Sequence, residues 1–233
     1  MRRSALAALA LAAALSGAGP ARACNLALVL ALDVSASIDA REYELQQAGL
    51  ARALTDPEVM EAVASQGGIW LSIFEWSGSR HQYTQLPWTF VAGDADLGGV
   101  AATLRATTRT VAEFPTSLGY AVGHALNLLR AAPETCRRQV IDVSGDGVNN
   151  DGFPPESAYL AHDMSLVTVN GLVITNEDPT VVDYYLRSVI HGAGAFVQPT
   201  ASYNDYAEAM RRKLLRELGA FSFVRLELRD TAR

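Results

Sequence analysis

Three oxygen-bearing side chains recur at alternate positions in Asp33-Val34-Ser35-Ala36-Ser37, a D-x-S-x-S pattern directly behind an apolar run over residues 26–32. In an extended turn this spacing puts one carboxylate and two hydroxyls on the same side of the chain. Hard cations take such donors: Mg²⁺ prefers about six oxygens at about 2.0–2.1 Å, several of them water. The same pattern also serves as ordinary helix capping, so alone it leaves both readings open. Two further segments add donors of the same kind. The strand-length run over residues 140–143 leads into Ser144-Gly145-Asp146-Gly147, which sets a second carboxylate on a Gly-flanked turn. Pro115-Thr116-Ser117-Leu118-Gly119 supplies a hydroxyl just ahead of a helical stretch.

Other chemistries fit less well. Asn149-Asn150-Asp151-Gly152 resembles part of a calcium loop, but its carboxylate series is incomplete and no glutamate follows at the needed distance. It reads as a polar turn lining the rim of the site. His81, His124, His162 and His191 show no H-x-x-x-H or H-E-x-x-H spacing and read as packed or surface histidines rather than zinc ligands. No serine sits in a G-x-S-x-G elbow. Asp33 is a candidate phosphotransfer nucleophile, yet Ser35 stands where a second aspartate would share the metal and proton work. Trp70, Trp76 and Trp88 read as core and edge packing around one strand and its neighbour.

These donors need elements that bring them together. Apolar runs of strand length recur at residues 26–32, 69–74, 140–143, 166–174 and 195–197, with helical periodicity in most of the spacers. Residues 81–91 are more polar and follow Ser77-Gly78-Ser79 closely, as the hairpin partner of an antiparallel edge strand does. The expected architecture is α/β: a doubly wound, mostly parallel six-stranded sheet with one antiparallel edge strand and helices on both faces. Helices are expected from the Asp39 cap to Leu54 and over residues 58–65, 96–108, 118–129, 155–164, 180–190 and 203–218. The last carries Tyr206, Met210, Leu214 and Leu218 on one stripe. In such a sheet the ligand crevice lies beyond the carboxyl ends of the strands, where Asp33 and Asp146 leave it.

With 49% hydrophobic and 19% charged residues, the chain has the composition of a globule rather than of a disordered protein. Met1-Arg2-Arg3, an apolar stretch over residues 5–15 and Ala21-Arg22-Ala23 read as a signal peptide ending at residue 23, too short to span a bilayer comfortably. The formal charge of −6 becomes about −9 once Arg2, Arg3 and Arg22 leave with the leader, which disfavours nucleic acid as a partner. Of the 19 basic residues only Lys213 is a lysine, a usage that carries no functional weight on composition alone. Cys24 and Cys136 would enter an oxidising compartment and are most simply a pair, each placed shortly before an apolar run. Closing so long a loop contributes about 4 to 5 kcal/mol in the chain-entropy model. Cys24 also stands where a lipid-modified cysteine would, although Arg22, and Ala21 in place of the usual leucine, argue against lipidation. One domain over residues 24–218 is expected, followed by a tail over residues 219–233.

In order, Asp33, Ser35, Ser37, Thr116 and Asp146 resemble the metal-ion-dependent adhesion site of the von Willebrand factor A domain, and the resemblance extends over residues 25–218. More narrowly the chain is similar to an exported bacterial branch of that family with no assigned function. That likeness runs through Leu28-Val29-Leu30-Ala31-Leu32-Asp33-Val34-Ser35, through Cys136-Arg137-Arg138-Gln139-Val140-Ile141-Asp142-Val143-Ser144-Gly145-Asp146-Gly147 and through Ala209-Met210-Arg211-Arg212-Lys213-Leu214. The resemblance implies a Mg²⁺ (or Mn²⁺ or Ca²⁺) site in which Ser35, Ser37 and Thr116 coordinate through hydroxyls. Asp33 and Asp146 would bind directly or through water, leaving one position for the Glu or Asp carboxylate of a protein partner. Neutral hydroxyls leave the cation undercompensated, so an incoming carboxylate gains charge-assisted binding. The family's glycine before the threonine is Pro115 here, and the adjacent Ser117 is an alternative third hydroxyl. The implied function is metal-dependent protein binding without catalysis by a periplasmic or secreted domain. A structural or assembly module with a degenerate site, and a metal-dependent phosphohydrolase using Asp33, are the alternatives.

Overall fold

Strand β1 (Leu26–Asp33) is buried along its entire length. Leu26, Leu28, Leu30 and Leu32 enter one core, and Ala27, Val29 and Ala31 the other. A strand covered on both faces needs apolar residues at every position, which is why this run does not alternate. The computed structural model describes residues 24–176 and 178–219; the expected leader and residues 220–233 of the expected tail lie outside the described residues.

Along the chain β1 is followed by α1 (Ala40–Leu54), α2 (Pro57–Ser65), β2 (Ile69–Trp76), β3 (Gln82–Val91), α3 (Asp94–Ala106), α4 (Leu118–Arg130) and β4 (Arg138–Gly145). Then come α5 (Pro155–Leu160), β5 (Val167–Ile174), α6 (Val181–Tyr184), β6 (Val197–Thr200) and α7 (Tyr206–Glu217). The sheet order is β3-β2-β1-β4-β5-β6. Every pairing is parallel except β2 with the edge strand β3. Helices α1, α2, α3 and α7 cover the leucine face of β1, while α4, α5 and α6 cover the alanine and valine face. The chain winds from β1 to β2 on one side and returns to β4 on the other, so the β1/β4 boundary is the topological switch point. The loops leaving these two strands run toward helices on opposite faces and open a crevice between them.

Local chemistry sets the boundaries. α1 starts in a capping box: the Glu42 amide donates to Asp39 Oδ1 at 2.8 Å, and the Asp39 amide donates to Glu42 Oε2 at 2.9 Å. α5 stops at Leu160 rather than continuing to 164, because the Asp163 carboxylate takes the Ser165 amide and holds a turn. β6 starts at Val197 instead of 195, since the Phe196 amide donates to the Asn170 side chain. Residues 180–190 split into α6 and a π-helical turn, Tyr185–Val189, closed by the Ile190 amide on the Tyr185 carbonyl. Residues 203–205 form a 3₁₀ turn before α7.

Cys24 and Cys136 are joined across a separation of 112 residues, with their Cα atoms 4.5 Å apart. The bridge ties together the amino-terminal ends of neighbouring β1 and β4, and the carboxyl ends of the same strands stay free to build a site.

Candidate metal centre

β1 and β4 run in register, Leu32 beside Ser144, so Asp33 comes alongside Gly145 with Asp146 one residue on. The fit requires a glycine. A Cβ on Gly145 would stand 2.7 Å from Asp33 Oδ2 and 2.9 Å from the Tyr185 hydroxyl.

Around this junction the five residues picked from the sequence converge. Ser37 Oγ donates to Asp146 Oδ1 at 2.8 Å, Ser35 Oγ lies 3.3 Å from Ser37 Oγ, and Thr116 Oγ1 donates to Ser35 Oγ at 3.2 Å. The Ser35 amide donates to Asp33 Oδ1 at 2.8 Å, whereas the buried Asp33 Oδ2 has no hydrogen-bond partner among the described residues. Thr116 and its neighbour part company here. The Thr116 hydroxyl turns toward Ser35, and Ser117 Oγ donates instead to Asp151 Oδ2 at 2.5 Å.

Residues without a recognisable pattern hold these loops in place. Arg109, between α3 and α4, donates to the carbonyls of Val34, Ser35 and Ile38 at 2.8–3.0 Å and so clamps the whole D-x-S-x-S turn. Gln46 of α1 donates to the Asp33 carbonyl at 2.9 Å. The polar turn behind Asp146 braces the Thr116 loop: Asn150 Oδ1 accepts from the Thr116 amide, Asn149 Oδ1 from the Gly119 amide, and Asp151 Oδ2 from Ser79 as well as Ser117. This is the rim role expected of that turn. Tyr203 donates to Asp146 Oδ2 at 3.3 Å, and the Tyr185 hydroxyl is buried beneath Asp33 and Gly145 without a hydrogen-bond partner among the described residues. Sequence reading missed Arg109, Gln46, Tyr185 and Tyr203. Arg109 sits in an aperiodic threonine-rich loop, and Tyr185 reaches the site through a π-helical turn that no local pattern announces.

Burial pushes the Asp33 carboxyl well above the usual carboxylate range, and the neighbouring Asp146 charge pushes it further; the Ser35 hydrogen bonds and Arg109 oppose the shift only in part. Burial, then the same two carboxylates, also drives the Tyr185 and Tyr203 phenols upward. Asp33, Ser35, Thr116 and Asp146 are all buried, whereas Ser37 is exposed and marks the mouth. Two carboxylates and three hydroxyls, with one carboxylate oxygen orphaned, form a donor set that fits a hard divalent cation. Among the described residues no group of three or more His, Cys, Asp and Glu side chains gathers around a point. The histidines pack instead: His124 on Phe74, His81 on Phe114, His191 on Tyr159. Trp76 is fully buried, and Trp70 and Trp88 donate to Glu134 and to the Leu128 carbonyl.

The fold is that of a von Willebrand factor A-type domain. The chain superposes on a von Willebrand factor type A protein from Catenulispora acidiphila with a TM-score of 0.62 at 14% identity, over 84% of this chain and 43% of that one. It superposes on proximal thread matrix protein 1 from the mussel byssus, a structure described as having a zinc-occupied MIDAS motif, with a TM-score of 0.62 at 16% identity, over 84% and 48%. BatB from Bacteroides thetaiotaomicron matches with a TM-score of 0.55 at 16% identity, over 84% of this chain and 100% of that one. The chain thus spans less than half the length of the first two. At these identities the likeness is one of fold. By sequence the chain belongs to the family described as Protein of unknown function (DUF1194), whose profile matches residues 23–222. No curated protein matches it.

Proposed function

We propose that the mature chain is an exported, divalent-metal-dependent protein-binding domain that acts without catalysis, with Asp33, Ser35, Ser37, Thr116 and Asp146 holding the metal. The observation that carries this reading is the convergence of two buried carboxylates with three hydroxyls at the switch point, one carboxylate oxygen having no partner among the described residues. Bound there, Mg²⁺, Mn²⁺ or Ca²⁺ supplies a charge centre that a partner's Glu or Asp carboxylate completes. The chain's own residues do the rest. Ser35, Ser37 and Thr116 contribute neutral donors, which keeps the site electrophilic toward an anionic ligand. Arg109 and Gln46 fix the turn through its carbonyls, and Ser37 lies at the exposed mouth where a partner would arrive.

An apolar leader and a Cys24–Cys136 bridge support export to the periplasm or beyond. Ser35 in the place of a second acid supports binding over phosphoryl transfer. Calorimetric and thermal-shift titration with Mg²⁺ and Mn²⁺ tests the site. Wild type should bind saturably and melt higher, and Asp33→Ala should do neither; a wild type indifferent to both metals sinks the proposal. Turnover in a phosphatase screen that disappears in Asp33→Ala would favour the hydrolase instead. Capture of a partner from periplasmic or culture extract should require metal and fail in chelator.

A further inference from the structure

The one lysine in the chain is, among the described residues, the most thoroughly enclosed cation. Lys213 of α7 is fully buried, while the other basic residues are all arginines. Its Nζ lies 2.8 Å from Asp142 Oδ2 of β4 and 2.6 Å from Glu217 Oε1, one helical turn further along α7. Asn170 of β5, paired in register with Asp142, donates to the same Glu217 oxygen at 2.9 Å and accepts from the Phe196 amide. The Phe196 ring closes the pocket, 5.2 Å from Nζ. Asp142, Asn170, Lys213 and Glu217 are all nearly or fully inaccessible to water.

An arginine would fill a purely structural ion pair with more hydrogen bonds, and it never gives up its proton. A lysine ammonium can, and the neutral amine is then a nucleophile. The electrophile is in place. Burial first pushes the Asp142 carboxyl up to about 7, with Glu217 pushing the same way and Lys213 opposing the shift. The ion pair is also imperfect: among the described residues neither Asp142 oxygen has an aligned hydrogen-bond donor, although Nζ approaches Oδ2 at 2.8 Å, and Glu217 Oε2 has no partner among them. Condensation would replace two buried, poorly satisfied charges with one neutral amide whose N–H faces Glu217.

We propose that Lys213 and Asp142 form an intramolecular isopeptide bond that staples α7 to β4, with Glu217 as the proton relay and Asn170 holding Glu217 in position. A proton passes from the ammonium to the Asp142 carboxylate. The neutral Nζ attacks Cγ, forming the C–N bond. Glu217 takes a proton from the nitrogen and returns it to the leaving hydroxyl, so the Cγ–O bond breaks and one water departs. No oxidant or further reactant enters, and Glu217 ends as it began. The strand and helix already hold the reacting groups in contact, which removes the entropic cost of bringing them together.

Because Lys213 is the sole lysine, the test is direct. The purified mature protein, reduced and denatured, should be lighter than its sequence mass by one water and should resist endoproteinase Lys-C, which has no other site. A peptide map should join the segment holding Asp142 to the one holding Lys213. Asp142→Ala should regain cleavage after Lys213, and Glu217→Gln, checked for native circular dichroism, should lack the bond or form it more slowly by at least tenfold. Full sequence mass with ready Lys-C cleavage of wild type overturns the proposal, whether or not the variants fold. Loss of ammonia in place of water, the mark of Asn170 as electrophile, overturns the Asp142 assignment, and a Glu217→Gln chain that condenses as fast as wild type overturns the relay.

Discussion

Two pairs of buried carboxylates sit on this sheet, and they differ in what comes to meet them. Asp142 and Glu217 lie between β4 and α7, where the chain supplies its own cation at 2.8 and 2.6 Å. Asp33 and Asp146 lie at the carboxyl ends of β1 and β4, where the chain brings hydroxyls and an amide to them instead. The first arrangement is closed by Phe196 and α7, whereas the second opens to solvent at Ser37. The contrast teaches what burial asks of a carboxylate: one pair is met by a lysine of the same chain, while the other is met by hydroxyls and an amide at the site proposed above for a divalent cation.

The largest effect should come from breaking the lysine-paired group. Lys213→Ala removes the α7 cation, or its bond, and leaves two buried carboxylates facing each other; urea unfolding should show a loss of about 3–5 kcal/mol. The Mg²⁺-induced thermal shift should survive wherever the variant folds. A loss below about 1 kcal/mol would mean that the two regions are less different than their geometry implies.

At the other pair the sign should reverse. In the metal-free fold the Asp33 carboxyl is held above its ordinary value of 3.8, by burial and then by Asp146. The unfolded chain therefore releases this proton first, and the contribution of Asp33 to stability falls as pH rises above the ordinary value. Asp33→Asn should be more stable than wild type at neutral pH without metal, with the advantage shrinking as pH drops toward 3.8. The same variant should show no metal response. Urea midpoints compared across that range check both statements, and a variant less stable than wild type at neutral pH would count against them.

The smallest effect separates neighbours. Thr116→Ala should weaken Mg²⁺ binding about tenfold, roughly 1.4 kcal/mol, whereas Ser117→Ala should leave the affinity near that of wild type because its hydroxyl serves Asp151. Calorimetry on the two variants decides between them, and equal losses would merge their roles.

Much of this was legible in advance, for identifiable reasons. The unbroken apolar run of β1 declares a strand covered on both faces, and the polar segment behind Ser77-Gly78-Ser79 declares the antiparallel edge. Asp33, Ser35 and Ser37 lie within five residues, so their chemistry is visible as a local pattern. The choice between Thr116 and Ser117 was not visible, because it depends on where Asp151 and Ser35 stand after the chain has folded. Arg109 was invisible for the same reason: its partners are backbone carbonyls, which carry no sequence signal.

The sequence by itself determined the order of strands and helices, the pair of cysteines and the kind of atoms offered at each strand end. These follow from short-range periodicity and side-chain chemistry, which a linear chain displays directly. Only the tertiary structure decided that Asp142 and Glu217 meet Lys213 and that Asp146 meets the hydroxyls of Ser37 and Tyr203. Lys213 looked like a compositional accident until α7 docked over Asp142 and Asn170, and the D-x-S-x-S pattern, which alone also fits a helix cap, joins the site where β4 sets Asp146 beside Asp33. A charge acquires its energetic meaning from burial and from its neighbours in space, and both are set by packing between segments far apart in the chain.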